Sequence, residues 1–351
     1  MNALDEAPRI AFDAPKKAPR PPEDRGVARD QVRLLVARRD DIVHARFKDL
    51  GENLRPGDLL VVNDSATEAR EADAKLDGRG AVVLHAATPL DDGDWVIEIR
   101  TAPDAARAIL DLAPGQRVHA GPVTLTVIAP YPAEASSPTG AGNRLWQASV
   151  AGDLRTHLRR RGRPIAYGYL DRGYPLSAYG TVFGRRPGSA EMPSASRPFT
   201  RRLVTDLVGR GVGFAPITLH TGVSSQEAGE APAPEWFEVP ATTAAQVEHT
   251  RRSGGRVIAV GTTATRALES AVTNGEVRGT SGWTERVVTP AHPPQVVTGL
   301  ISGWHDPQAS HLLLVEAVAG IDLAQAAYAE AVAAGYEWHE CGDSGLFLPG
   351  P

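Results

Sequence analysis

The sequence predicts an α/β main domain with a mostly parallel sheet, plus a small antiparallel β-barrel-like inserted domain. Two observations carry this expectation. From about residue 151 onward, apolar strand-like runs alternate with helical segments, the pattern of a mostly parallel sheet. Between 72 and 150, short alternating runs are separated by Gly- and Asp-rich turns, as in a small barrel or sandwich. The expected organisation is a flexible N-terminal arm at 1–24, an α/β domain built from 25–71 and 151–351, and the inserted barrel-like domain at 72–150.

Each element has a local reason. Residues 1–24 are polar and hold Pro15, Pro19, Pro21 and Pro22, which favour an extended chain. Alternating segments follow at 32–36, 42–43 and 59–62, the last after the turn Arg55-Pro56-Gly57-Asp58. In the barrel region, strands are expected at 81–85, 95–100, 117–119, 123–128 and 145–150. Residues 102–112 have helical character, and the Pro/Ser/Gly-rich stretch 131–143 reads as a mobile loop. Beyond it, 154–161 reads as a basic helix. Thr200 is placed to cap a helix at 201–208, with Phe199 set to pack on Val204. A buried strand at 213–220, a helix at 242–252, a buried strand at 256–260, a helix at 263–272 and a strand at 296–301 follow. Ser310 is placed to cap a helix that Gly320 ends, and Asp322 to cap one that Gly335 ends.

Composition narrows the function classes. The chain has 351 residues, 42% of them hydrophobic and 23% charged. Its mean hydropathy is −0.23, a globular profile. No stretch approaches the ~18 apolar residues of a membrane span. Cys341 is the only cysteine, which excludes an intramolecular disulfide and a cysteine-cluster metal site. No apolar leader is visible at the N-terminus, so a cytoplasmic location is expected. The net charge of −5 does not by itself advertise a nucleic-acid partner.

No Walker loop and no Gly-x-Gly-x-x-Gly opens a helix after a strand. The strongest local signal is the run Gly255 to Thr263, where an apolar strand meets Gly261-Thr262-Thr263 and a helix begins. Backbone N–H groups at that start would face a carboxylate, phosphate or ribose oxygen. The alternative is ordinary capping by Thr262 or Thr263. Arg266 and Glu269 on the same helix are either a site pair or a surface ion pair. His220 and His305 each stand at the carboxyl end of an expected strand, where open α/β sheets place their sites. Either is an acid or base candidate near neutral pH, or a packed, hydrogen-bonded histidine. No ligand spacing for a metal is present.

Arginines cluster at Arg155, Arg159, Arg160, Arg161 and Arg163, and again at Arg185, Arg186, Arg197, Arg201 and Arg202. With Arg251 and Arg252 they would form a phosphate-binding surface, unless they merely solvate helix faces.

In order along the chain, these segments resemble the S-adenosylmethionine:tRNA ribosyltransferase-isomerase family of queuosine biosynthesis. The resemblance is carried by Phe47-Lys48-Asp49-Leu50 with Arg55 to Asp64, by Tyr179-Gly180-Thr181-Val182-Phe183 and by Pro193-Ser194-Ala195 with Phe199-Thr200. It continues through Thr218-Leu219-His220-Thr221-Gly222, the run Gly255 to Ser270, Trp304-His305-Asp306-Pro307 with Ser310, and Tyr336 with Gly342-Asp343. Departures fall at Ser196-Arg197-Pro198, where the family carries a Gly-Leu-His, and at 224–235, where a His-x-Met-His-x-Glu run is reduced to Glu235. Ala66 and Ser302-Gly303 also differ from the family pattern.

The resemblance implies transfer of the ribosyl moiety of S-adenosylmethionine to 7-aminomethyl-7-deazaguanine in tRNA. Epoxyqueuosine forms, and adenine and methionine leave. The departures keep two alternatives open: transfer to a small-molecule acceptor, or a silent S-adenosylmethionine-binding homologue. S-adenosylmethionine would be a co-substrate, with no further cofactor and no metal. His220 and His305 are the implied acid and base. Gly261, Thr262 and Thr263 would hold ribose or methionine oxygens, and Arg266 a carboxylate. Asn63, Asp64 and Glu235 would bind polar parts of substrate, and Arg197 would reshape the pocket. Tyr179, Ser194, Phe199, Thr200, Thr218, Gly222 and Asp343 complete the implied binding set. The arginine clusters near 155–163 and 185–202 would contact tRNA, and no membrane partner is expected.

Overall fold

Runs that are apolar nearly throughout, such as Leu59–Asn63 and Val257–Val260, are buried on both faces, so they require a layer on either side. They lie at the centre of a nine-stranded sheet. The computed structural model describes residues 6–133, 140–166, 168–223 and 230–350. The sheet strands are β1 (Arg33–Arg38), β2 (Asp41–Arg46), β3 (Leu59–Asn63), β4 (Gly213–Leu219), β5 (Glu235–Val239), β6 (Val257–Val260), β7 (Thr280–Thr284), β8 (Gly299–Gly303) and β9 (Ser344–Leu348). Their spatial order is β7-β5-β4-β3-β6-β8-β9-β1-β2. The central strands β4, β3, β6 and β8 are mutually parallel, and β1 is parallel to β9. The remaining neighbours are antiparallel.

Successive side chains alternate between the two layers. Val61, Ala259, Leu300 and Phe347 face helices α3 (Ala241–Arg252), α4 (Thr262–Ser270), α5 (His311–Ala319) and α6 (Ile321–Ala333). Leu60, Val62, Ile258 and Ile301 face the opposite layer, where α2 (Arg201–Gly209) and the turn Phe47–Glu52 supply Leu203, Leu207, Phe47 and Leu50. The described part of the N-terminal arm is held down. Lys16–Lys17 pairs with Glu337–Trp338, and the N–H groups of Arg9 and Ile10 donate to Glu316 at 2.7 and 2.9 Å.

The region after β3 closes into a six-stranded antiparallel barrel of Glu71–Leu76, Gly80–Pro89, Trp95–Thr101, Arg117–Ala120, Val123–Pro130 and Leu145–Ala151. Leu84, Ile97, Ile99, Val118 and Leu125 fill it. Leu154 and Leu158 of α1 (Leu154–Arg161) also pack into this core, so α1 sits with the barrel although sequence alternation groups it with the α/β region. Glu71 and Arg163 exchange backbone hydrogen bonds of 2.9 and 2.8 Å, so the chain enters and leaves the barrel at one point. On the barrel's outer face, buried His85 lies between Glu98 at 2.9 Å and Glu71 at 3.0 Å. Arg100 and Arg144 complete this ionic seam on Glu98.

Several local expectations change. Residues 102–112 form no helix, because their backbone groups pair with the adjacent strand: Thr101 N–H donates to Arg107 and Ile109 N–H to Ile99, both at 2.8 Å. The strand expected at 296–301 begins only at Gly299. The N–H groups of Gln295, Val296 and Val297 are instead taken by the Glu269 carboxylate at 2.8 to 3.0 Å. Gly320, not Asp322, occupies the N-cap of α6. The centre of the expected 131–143 loop, residues 134–139, lies outside the described residues. Among the described residues, no single helix is long and apolar enough to cross a membrane.

Candidate active site between the barrel and the strand ends

Where β6 and β8 end, a cleft of about 650 Å³ opens toward the barrel. That volume falls within the roughly 300–1,000 Å³ of small-molecule sites. One wall is the barrel's Ala87, Thr88, Val96 and Leu145; the other holds Gly261, Thr262, Thr263 and the segment after β8. Carboxyl ends of parallel strands leave helix starts and loops free to carry polar groups, and these do so here.

His305 lines the cleft, held by a backbone that Trp304 anchors in the core. Its Nε2 shares a hydrogen bond with Ser302 Oγ at 3.0 Å, and its carbonyl accepts from Trp338 Nε1 at 2.8 Å. The ring stacks on His311, with centroids 4.8 Å apart and planes 3° from parallel. Burial, then the neighbouring His311 and His339, hold His305 well below the ordinary imidazole range. Burial and Arg266 bring His311 down to about 4. Glu340 lines the same cleft, and burial pushes its carboxyl up to about 7.

The helix start opposite is backbone-capped. Gly261, at φ +95°, is the N-cap of α4, and neither Thr262 nor Thr263 caps through its side chain. Gly261, Thr262 and Thr263 line the cleft, so this helix start borders it without a threonine side-chain cap. Ser194 and Gly222 also line the cleft. Arg266 and Glu235 reach it but are spent on each other in a buried ion pair. Glu235 further accepts from Gly222 N–H at 3.0 Å, while Arg266 donates to the carbonyls of Arg286 and Ala233 at 3.1 and 3.2 Å. Arg266 thus already has a carboxylate partner inside the protein, and Glu269 is neither a site partner nor a surface one.

Other residues expected in the site are not on the wall of this cleft. Asn63 nevertheless donates to its Thr263 Oγ1 at 3.4 Å, and Arg197 and Asp343 line a small adjoining pocket. His220 is not on the cleft wall; it shares a 2.7 Å hydrogen bond with Ser65 and stacks on Trp236 at 5.3 Å. Burial, with Arg186 and Arg70 nearby, lowers it to about 4. Asn63 clamps the end of β4, donating to the Leu219 carbonyl at 2.9 Å and accepting from the Leu219 and Ser65 N–H groups at 3.0 Å. Asp64 accepts from Thr218 Oγ1 at 2.6 Å, and Arg186 donates to the same hydroxyl at 3.0 Å. Phe199 is a core aromatic against Phe47, and Thr200 caps α2 through Leu203 N–H at 3.2 Å. Tyr179 is buried beside Tyr174 and Met192. Arg197 is buried in an ion pair with Glu23 of the arm at 2.8 Å, and Asp343 accepts from the Arg33 N–H at 2.7 Å.

Sequence reasoning missed His311, His339 and Glu340. His311 follows a helix-capping serine and precedes a leucine run, so nothing local sets it apart. Residues Ser224-Ser225-Gln226, where the family pattern departs, lie outside the described residues. Among the described residues, no group of three or more His, Cys, Asp or Glu is placed to hold a metal.

Known proteins share this architecture. A family profile described as queuosine biosynthesis protein matches residues 10–347. The S-adenosylmethionine:tRNA ribosyltransferase-isomerase of Gloeobacter violaceus is 35% identical over 332 residues, covering 92% of this chain and 90% of its own. That of Symbiobacterium thermophilum is 34% identical over 353 residues, covering 96% and 98%. The crystal structure of an S-adenosylmethionine tRNA ribosyltransferase from Thermotoga maritima covers 97% of this chain and 99% of its own, at 25% identity and a TM-score of 0.53.

Proposed function

The chain belongs to the family of queuosine biosynthesis proteins, and from that membership we propose that it is an S-adenosylmethionine:tRNA ribosyltransferase-isomerase. In this reading it transfers the ribosyl moiety of S-adenosylmethionine to 7-aminomethyl-7-deazaguanine in tRNA, giving epoxyqueuosine and releasing adenine and methionine. S-adenosylmethionine is consumed as a co-substrate. The sulfonium already activates the adjacent carbons toward proton loss. The protein must then supply a base, orient the ribose and assist departure of adenine.

The observation that carries this reading is that His305 and the start of α4 at Gly261, Thr262 and Thr263 line one cleft. His305 keeps its lone pair through the neutral range and serves as the base. The N–H groups of Thr262 and Thr263 hold ribose or methionine oxygens. Glu340 retains a proton up to about pH 7 and is the acid, in place of His220, which lies off the wall. For tRNA, the α1 cluster is the better phosphate surface. Arg155, Arg159, Arg160 and Arg161 are exposed and, among the described residues, form no salt bridge. In the second cluster Arg186, Arg197 and Arg202 are paired with Glu238, Glu23 and Asp30.

The test is to incubate the protein with S-adenosylmethionine, with and without tRNA bearing the deazaguanine precursor, and follow adenine and methionine. Release that requires this tRNA supports the reading. Release with a small-molecule acceptor alone, or binding without release, overturns it in favour of one of the alternatives.

A further inference from the structure

Three histidines line the cleft, His305, His311 and His339, and the proposed chemistry uses the first. His311 is the first residue of α5, followed by buried Leu312, Leu313 and Leu314, so its backbone is fixed by core packing. His305 is fixed independently, through Trp304 and the hydrogen bond from Trp338. Two separately anchored elements thus bring the rings together within 3° of parallel. Chance neighbours on flexible segments do not hold such a plane.

Burial and the neighbouring cations disfavour a proton on the pair, and the Asp306 carboxylate beside His305 opposes them only in part. Arg266 acts on His311, and His339 acts on His305. The start of α5 adds the positive end of a helix dipole. Asp306, the carboxylate next to His305 in sequence, is engaged by Lys17 at 2.7 Å and by His339 at 3.3 Å. Glu340 also lines the cleft, and burial favours its neutral form.

We infer that His311 is a positioning residue for the base of this cleft: stacked flat on His305, it fixes the plane of that ring. In the tautomer whose Nε2–H donates to Ser302 Oγ, the lone pair of His305 resides on Nδ1. Rotation about the side-chain torsions would swing that lone pair away from substrate, and His311 blocks it. The inference rests on the proposed role of His305 as base, yet its core can be measured without turnover.

The experiment compares wild type with His311→Ala and His311→Phe in the full-length protein. Ring-labelled histidine is followed by NMR across pH, with His305→Gln supplying the assignment. In His311→Ala, the His305 midpoint rises by about one pH unit, as expected when a like-charged neighbour within stacking distance is removed. The acid limb of kcat/KM moves up with it, and kcat falls by about tenfold while KM for S-adenosylmethionine holds. His311→Phe keeps a flat ring and restores most of kcat, and it too lacks the second titrating group. An unchanged His305 midpoint in both variants, or equal loss of kcat in both, overturns the inference. A shifted midpoint in a protein that turns over no tRNA refutes the proposed reaction and leaves the pairing intact.

Discussion

Arg266→Gln separates the two roles that the Arg266 guanidinium could play. Arg266 and Glu235 are 8% and 14% exposed in their side chains, and each is the other's ionic partner. Removing the guanidinium leaves the carboxylate with the Gly222 N–H at 3.0 Å as its remaining hydrogen bond. It also strips a donor from the carbonyls of Arg286, Ala233 and Thr284. Breaking a buried pair from one side costs about 3–5 kcal/mol, because an uncompensated charge stays behind. Residual solvent access places the expected loss near the lower end, about 3 kcal/mol. Glu235→Gln in the Arg266→Gln background removes the stranded charge and recovers about 1–2 kcal/mol, the coupling expected of residues in contact. Lysine at 266 does not rescue, since an ammonium cannot match a guanidinium fork spread over a carboxylate and several carbonyls. Equilibrium denaturation reads the stability, and calorimetry reads S-adenosylmethionine affinity. The double variant is expected to bind S-adenosylmethionine within about threefold of wild type. Wild-type stability in Arg266→Gln, coupled with lost binding, would instead make Arg266 a ligand for a substrate carboxylate and dismiss the internal pair as its role.

Three further outcomes follow from the same geometry. The Glu340 carboxyl sits at about 7 in the folded protein against an ordinary 4.5, so stability is greatest below the lower value and declines as pH rises between the two. Glu340→Gln flattens that decline, gaining at most about 3 kcal/mol relative to wild type above pH 7, read from denaturation midpoints across pH. Glutamine at Arg159, Arg160 and Arg161 together lowers the salt slope of tRNA binding by about 0.7–0.9 for each phosphate no longer neutralised, with S-adenosylmethionine affinity unchanged. Arg79→Gln and Arg117→Gln, which pair with Asp111 and Asp77 elsewhere on the barrel, leave that slope alone. Gly261→Ala places a Cβ 3.3 Å from that of Ala195 at φ +95°, costing about 1–2 kcal/mol and weakening S-adenosylmethionine binding in titration.

The parallel centre of the sheet was legible because Leu59–Asn63 and Val257–Val260 are apolar nearly throughout, which only a two-layered strand tolerates. The barrel was legible from alternation between turns. The helix start at Gly261 was legible too, as a strand running into Gly261-Thr262-Thr263, and the structure gives that glycine a positive φ. What local pattern could not show was which polar groups satisfy one another across the fold. Asn63 and Leu219 lie 156 positions apart, yet their hydrogen bonds consume the asparagine amide. Arg197 finds Glu23 across 174 positions, which removes a cation that looked available in sequence. His220 and His305 looked alike as strand-end histidines. The difference arises because two paired segments, one carrying Ser65 and the other Ser189, cover the first, whereas the turn after β8 leaves the second on the cleft. His311 was invisible because its partner is brought to it by the turn between β8 and α5 and not by any helical period.

If this cleft converts a base already present in tRNA, the product must appear in the tRNA itself. Mass analysis of nucleosides from precursor-bearing tRNA, after incubation with the protein and S-adenosylmethionine, reads that product without an intermediate assumption. Conversion of 7-aminomethyl-7-deazaguanosine to epoxyqueuosine is expected, and it is abolished in His305→Gln. An unchanged precursor nucleoside, in a protein shown to bind both substrates, would rule the reaction out.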